Sequence, residues 1–297
     1  MTTASRAFAP LDLLQIVAVA VIWGVNNVAA KIALMSFPPL MTVAMRFALV
    51  LVVLSPWLRP PPRANWPLLL AMLICVGPLH FGIQYFGLHL ARELAPMVVA
   101  MQLWAPASVA FAALLLGERV GPLRWTGVGV AFVGAASMNF DPAVFAQIVP
   151  LTIVAGAACL YGLGTVLVRR IGAVANPWVM QAWIAMLSTP TMLGASAAFE
   201  HGQFQAARAA PWTAWALVAF GAIVSSVLAN AFMFRLVQRY EVSRTTPYLL
   251  LSPIISFALA ALVLGDHITL RIVGGAGATL AGVALVALAE RRFKAVA

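Results

Sequence analysis

Ten runs of apolar residues divide the chain, each close to the length that crosses a bilayer. They cover residues 11–34, 40–58, 66–89, 94–116, 122–140, 149–168, 178–199, 212–235, 243–264 and 270–289. A spanning helix needs about 20 apolar residues at about 1.5 Å rise each, so the pattern predicts an all-α polytopic membrane protein of ten transmembrane helices. Breakers separate the runs: Pro38-Pro39, Pro60-Pro61-Pro62, Asp141-Pro142, Asn176-Pro177 and Pro211. The longest hydrophilic stretch, 200–210, is too short for a separate domain. The first run exceeds a signal-peptide core of about 7–15 residues and contains Trp23, Asn26 and Asn27, so it reads as a retained helix.

Composition narrows the class. Of 297 residues, 63% are hydrophobic and 9% charged, where a soluble domain carries about a quarter charged. Too little polar surface remains for a water-facing globule. That excludes a cytosolic enzyme, a disordered regulator and a secreted disulfide scaffold. The net charge of +10 does not mark a nucleic-acid partner, because the basic residues are scattered rather than gathered on one face. Cys75 and Cys159 lie in apolar runs as packing residues, without metal-ligand spacing.

The scattered cations orient the bundle. With the N-terminus inside, the inner connectors hold Arg6, Arg59, Arg63, Arg119, Arg124, Arg169, Arg170, Arg235, Arg239, Arg244, Arg291, Arg292 and Lys294. The outer connectors hold Lys31, Arg92, Arg208 and Arg271, and Arg46 falls inside the second run. This bias predicts both termini in the cytoplasm of an inner or plasma membrane.

An internal repeat runs through the chain. Gly117-Glu118-Arg119-Val120 is followed by Gly127, Gly129 and Gly134; Gly265-Asp266-His267-Ile268 is followed by Gly275, Gly277 and Gly282, each 148 residues later. Pro106 precedes the first ending and Pro253 the second. Trp23-Gly24 with Lys31 matches Tyr161-Gly162 with Arg169. The expected division is 1–146 for helices 1 to 5 and 147–297 for helices 6 to 10. Five is odd, so the second half enters the membrane inverted. Inverted repeats are a recurrent design of secondary transporters, which expose a midplane site to each side in turn.

The residues that open and close these repeats resemble a known family. Trp23-Gly24-Val25-Asn26-Asn27 with Lys31, then Pro38-Pro39 and Arg46, resembles the opening of the EamA-type drug/metabolite transporter superfamily. Leu116-Gly117-Glu118 and Leu264-Gly265-Asp266 look like its repeat endings, with Asp266 where many relatives have Glu. The resemblance covers about residues 11–290 and implies ten helices, both termini inside and export of small metabolites. In size and aromatic interior the chain looks most similar to YddG-type exporters of aromatic and other neutral amino acids. No counterpart of Arg46 appears in the second half.

Candidate site residues are uncharged and aromatic. His80 and Gln84, at i and i+4 after Gly77-Pro78, share a helix face, and that polar face either lines a cavity or bonds a neighbouring helix. Gln102 and Trp104 on the fourth helix, and Tyr248 and Ser252 on the ninth, sit among paired prolines: Pro96 and Pro106 against Pro247 and Pro253. Interruptions at corresponding positions point to a transporter site, so these four and Pro78 are the expected gates, or they only shape packing. Asn26, Asn27, Tyr161, Gln181, Trp183 and Asn230 complete the expected substrate-binding set. Such side chains bind an amino acid without a buried charge, although Trp and Tyr also anchor helices at interfaces. Lys31 and Arg46 either snorkel to the interface or line the path of a carboxylate. No Asp or Glu falls mid-helix, so facilitated or weakly proton-coupled transport is expected, unless His80 serves as proton carrier.

No catalytic residues, metal ligands or cofactor motif are expected. His80, His89, His201 and His267 are dispersed, which argues against a membrane-embedded enzyme. The alternative within transport is a sugar-phosphate or nucleotide-sugar exchanger, which calls for several inward cations. Small-residue stripes at Gly127, Ala131 and Ala135, and at Gly274, Ala278 and Gly282, are expected to pack against the bundle or join a homodimer through helices 5 and 10.

Overall fold

Apolar runs in lipid satisfy their backbone polar groups internally, which leaves the helix as the available form. The computed structural model describes residues 8–60, 66–90, 97, 100–138, 148–172, 176–264 and 269–296, and every regular element among them is helical. The helices are α1 (Pro10–Ala33), α2 (Pro39–Leu54), α3 (Trp66–Val76), α4 (Pro78–Leu90), α5 (Trp104–Leu116), α6 (Pro122–Met138) and α7 (Ile148–Ile171). They continue with α8 (Pro177–Phe199), α9 (Gln203–Ala209), α10 (Trp212–Phe220), α11 (Asn230–Arg239), α12 (Val242–Thr245), α13 (Ser252–Leu264) and α14 (Leu270–Val296). Proline opens α1, α2, α4, α6 and α8, at the position where its missing N–H costs no hydrogen bond.

Among the described residues, seven helices are long and apolar enough to cross a membrane, and Trp104–Leu116 is a shorter apolar helix. The molecule is a multi-pass membrane protein. The difference from ten uniform segments has local causes. Pro78 interrupts the third run at Gly77, separating α3 from α4. The fourth run turns at Gln102 and Leu103 before α5. The eighth run contains a π-helix, Gly221–Ala229, between α10 and α11. The ninth is divided by a 3₁₀ segment, Thr246–Leu251, that carries Pro247. The last helix continues past residue 289 to Val296.

Helices of the first part of the chain cross helices of the second. The most extensive contact in the molecule joins α6 to α14. A Cβ on Gly127 would lie 2.8 Å from the Gly282 carbonyl oxygen, and one on Gly134 would lie 2.7 Å from that of Gly275. Between them the Thr279 hydroxyl donates to the Ala131 carbonyl at 3.4 Å. One set of residue numbers rises as the other falls, so the helices cross antiparallel. Adding the 148-residue spacing to the first set gives Gly275, Thr279 and Gly282, so the shift exchanges the two partners. The small-residue stripes therefore pack on each other within the chain. The α14 face is Gly275–Thr279–Gly282 rather than the expected Gly274, Ala278 and Gly282, for Gly274 has open space beside it.

The same exchange recurs elsewhere. Gly24 of α1 lies against Ser252 and Ile255 of α13, while Gly162 of α7 lies against Trp104, Ala107 and Ser108 of α5. Each first helix thus packs on the proline-bearing helix of the other half.

The face that carries the N-terminus is tied shut. Gly117, in the left-handed conformation at φ 67°, ends α5 and lets Glu118 turn toward α12. The Glu118 carboxylate accepts the N–H groups of Val242 at 2.9 Å and Ser243 at 3.0 Å, an anion at a helix start. Arg124 donates to Glu241 at 3.1 Å and to Ser243 at 2.8 Å. Asp12 pairs with Arg239 at 3.0 Å and accepts from the Tyr240 hydroxyl at 2.6 Å. Burial, with the Asp12 hydrogen bond, holds the Tyr240 phenol above its ordinary range. Phe8 packs at a tilt against Tyr240, 4.5 Å between ring centres. At the opposite face Glu200 accepts from the backbone N–H groups of Leu40 and Met41, at 2.6 and 2.9 Å, and so caps α2.

Candidate functional site

An aromatic cluster occupies the centre of the bundle. Trp23 of α1, Trp104 of α5 and Tyr161 of α7 meet edge to face, with ring centres 5.8 Å apart for Trp23–Trp104, 5.5 Å for Trp104–Tyr161 and 6.4 Å for Trp23–Tyr161. His80 of α4 joins at 5.0 Å from Tyr161 and 4.8 Å from Phe81. Its Nδ1 lies 2.8 Å from the Ala157 carbonyl, so that nitrogen carries the proton. Phe81 leads on to Phe47 at 5.0 Å and to Tyr85 at 6.3 Å.

A small cavity of mixed polar and apolar lining continues from Tyr85. It is lined by Asn26, Ala30, Ala33, Thr42, Arg46, Tyr85, Leu217, Val218 and Gly221 and has a volume of about 20 Å³. That admits about one water, less than the space an amino acid fills. Ala33 ends α1 and Thr42 lies near the start of α2, which puts the cavity toward the face away from the N-terminus. Arg46 donates from Nε to Ser226 Oγ at 2.6 Å and from Nη2 to Ser225 Oγ at 3.1 Å. Both serines belong to the π-helix. A Cβ on Gly221 would stand 3.1 Å from Asn26 Oδ1 and 3.8 Å from Arg46 Cζ. The bare glycine leaves the room in which these two side chains meet.

The expected site residues separate into groups. Asn26, His80, Trp104 and Tyr161 come together at the cavity and cluster. Gln84 and Gln181 are buried, and Gln84 Oε1 and Gln181 Nε2 have no partner. Gln102 is buried at the turn before α5, and Ser252 starts α13 against Gly24. Asn230 follows the π-helix directly. Three residues lie elsewhere. Asn27 is exposed and donates to Ser256 of α13 at 3.0 Å. Trp183 donates to the Arg59 carbonyl at 2.9 Å and packs on Trp66. Tyr248 meets Phe8 at 5.9 Å, toward the N-terminal face.

Of the expected gates, Pro78 and Pro106 lie in the first turns of α4 and α5, Pro247 lies in the 3₁₀ segment, and Pro253 lies in the first turn of α13. Pro96 lies outside the described residues, as do Gly265, Asp266 and His267. Sequence reasoning missed Trp23 as a cluster member, although its match to Tyr161 was visible. It also missed Ser225 and Ser226, whose one signal is a pair of hydroxyls in an apolar run.

The sequence profile of the EamA-like transporter family matches the chain twice, over residues 11–140 and 149–288. The chain belongs to the EamA-like transporter family. This EamA-family protein is a transporter and not an enzyme. It is 26% identical over 291 residues to the uncharacterized transporter YvbV of Bacillus subtilis, covering 93% of this chain and 92% of that one. It is 26% identical over 274 residues to a probable amino-acid metabolite efflux pump of Salmonella typhimurium, covering 89% and 90%. A similarly named pump of Escherichia coli is 24% identical over 262 residues, covering 84% and 86%. A crystal structure shares the fold with a TM-score of 0.77 at 18% sequence identity, over 94% of this chain and 98% of that one.

Proposed function

We propose that this transporter exports small neutral or zwitterionic metabolites, foremost amino acids with aromatic and other neutral side chains, by alternating access around the cavity beside Arg46. The observation that carries the reading is the chemistry of the interior. The cavity and the ring cluster beside it join one guanidinium, uncharged polar groups and a wall of aromatic rings, while the buried Arg124 and Arg244 lie toward the N-terminal face and Asp12, Glu118, Glu200 and Glu241 all sit at helix ends. An amino acid asks for a donor to its carboxylate, acceptors for its ammonium and an apolar wall for its side chain. The names of the Salmonella and E. coli relatives support the same class. A sugar-phosphate or nucleotide-sugar exchanger would need more than one cation at the cavity, since phosphate recognition gathers several.

The halves 1–146 and 147–297 act as two inverted five-helix repeats in this reading, supported by the antiparallel crossing of α6 and α14 at Ala131 and Thr279. Both termini lie in the cytoplasm, supported by the arginine bias. The tied face is then the inner one, and the cavity leans outward. The carrier works as a monomer or as a homodimer through the outer faces of α6 and α14, where Gly129 and Gly277 have open space beside them.

Export is tested in cells. Cells overproducing the transporter should tolerate a toxic phenylalanine analogue such as p-fluorophenylalanine and release more phenylalanine into the medium than cells carrying an empty vector. Equal tolerance and equal release, with the protein present in the membrane, would contradict the proposal.

A further inference from the structure

Arg46 stands eight residues into α2, about 10 Å from its start at 1.5 Å per residue. A charge at such depth is costly unless it is paired. Yet its two hydrogen bonds go to the neutral hydroxyls of Ser226 and Ser225, and no carboxylate pairs with it among the described residues. A guanidinium has five N–H donors in a fixed fork. The three left over belong to a side chain that lines the cavity with Asn26 and Tyr85.

The hold on Arg46 is itself unusual. Ser225 and Ser226 are consecutive residues of the π-helix Gly221–Ala229. The i to i+5 bonding of a π turn places more residues in each turn, so neighbouring side chains are angularly closer than in an α-helix and two can address one guanidinium. π turns are rare and collect at functional sites. The hydroxyls accept hydrogen bonds from the guanidinium but bring no countercharge, whereas a carboxylate offers a bidentate ionic partner.

We propose that Arg46 is the anchor for the cargo carboxylate, and that Ser225 and Ser226 hold the same guanidinium while the carrier is empty. This rests on the amino-acid reading above. On binding, the carboxylate replaces hydroxyls as the acceptor of the Arg46 fork. On release the serines take it back, so the charge always has acceptors. Asn26, whose Oδ1 borders Gly221 on the same wall, accepts from the ammonium. One guanidinium balances one carboxylate, which sets the cargo class as monocarboxylate zwitterions.

The test compares L-phenylalanine with L-phenylalaninamide, which keeps the ring and the amine but lacks the anion, in proteoliposome exchange. The wild-type carrier should exchange phenylalanine at least about tenfold faster than the amide, as expected for a charged hydrogen bond. Arg46→Gln should bring phenylalanine down to the amide rate, and Arg46→Lys should restore part of the ratio. A ratio unchanged in Arg46→Gln, or a wild-type carrier that takes the amide equally well, overturns the anchor and leaves the amino-acid reading standing. A wild-type carrier that exchanges no amino acid overturns both. Should the Arg46 variants fail to fold, the wild-type comparison of phenylalanine with its amide decides the anchor, and the serine pair gives an independent arm for the resting role. Ser225→Ala with Ser226→Ala should slow net efflux, which requires the empty carrier to return, about tenfold more than exchange, which does not. An unchanged ratio of efflux to exchange overturns the resting role.

Discussion

At the residue scale, neighbouring positions have different fates that a pattern of polar and apolar letters does not separate. Asn26 faces the cavity while Asn27 bonds Ser256 on the outside of α1; both are polar residues in one apolar run, and only the packing of α1 decides between them. Trp104 and Trp183 were equal candidates, yet one joins the central rings and the other holds a connector carbonyl. Arg46 was legible as the cation inside a span. Its partners were not, because a π-helix leaves no period of its own in the sequence. Within the cluster, Trp104→Ala and Tyr161→Ala should slow exchange of phenylalanine about three- to tenfold more than that of alanine, the scale of one aromatic contact. A uniform loss for both substrates, or no loss, would remove these rings from the substrate path. Gly221→Val should abolish transport with little change in Tm, since the added methyls enter the space shared by Asn26 and Arg46; normal transport by a folded Gly221→Val protein would contradict that placement.

At the element scale, the glycine pattern of the two repeat endings carried real information about a helix crossing. It located the crossing but missed the contact face of α14 by one residue. The 3.6-residue period alone does not distinguish Gly274–Ala278 from Gly275–Thr279 without the partner helix. The consequence is directional. Gly134→Val and Gly282→Val place side chains where the backbone nitrogens of Thr279 and Ala131 already lie against the first added carbon. Each should cost at least about 1–3 kcal/mol by overpacking, read as a lower Tm of the detergent-solubilised protein. Gly129→Val and Gly277→Val, with open space, should leave Tm nearly unchanged. Equal effects at all four positions would contradict the crossing.

At the scale of the whole molecule, the acid of the Leu116-Gly117-Glu118 motif holds the tied face. Its carboxylate caps α12, and Arg124 adds the ion pair to Glu241. Nothing in the sequence joins residue 118 to residue 242; the link exists only once α5, α6 and α12 are assembled. Removing it should loosen that face. In a background lacking Cys75 and Cys159, a cysteine in place of Thr246, which is fully buried behind the clasp, should react with an aqueous thiol reagent faster when Glu118→Ala and Arg124→Met are combined. No gain in labelling would mean that the clasp does not govern access. Carboxylates at helix ends also leave no acidic proton relay through the described spans, so an imposed pH gradient should drive little uphill accumulation of substrate in proteoliposomes; strong accumulation would argue for proton coupling.

The central claim is the class of cargo, and counterflow addresses it most directly. Purified transporter is reconstituted into vesicles preloaded with unlabelled phenylalanine, with glucose 6-phosphate or with buffer, and trace labelled phenylalanine or, in a parallel set, trace labelled glucose 6-phosphate is added outside. Transient accumulation of label in the phenylalanine-loaded vesicles alone is the predicted result. Absence of that accumulation, together with exchange of labelled sugar phosphate in the glucose 6-phosphate vesicles, would contradict the account.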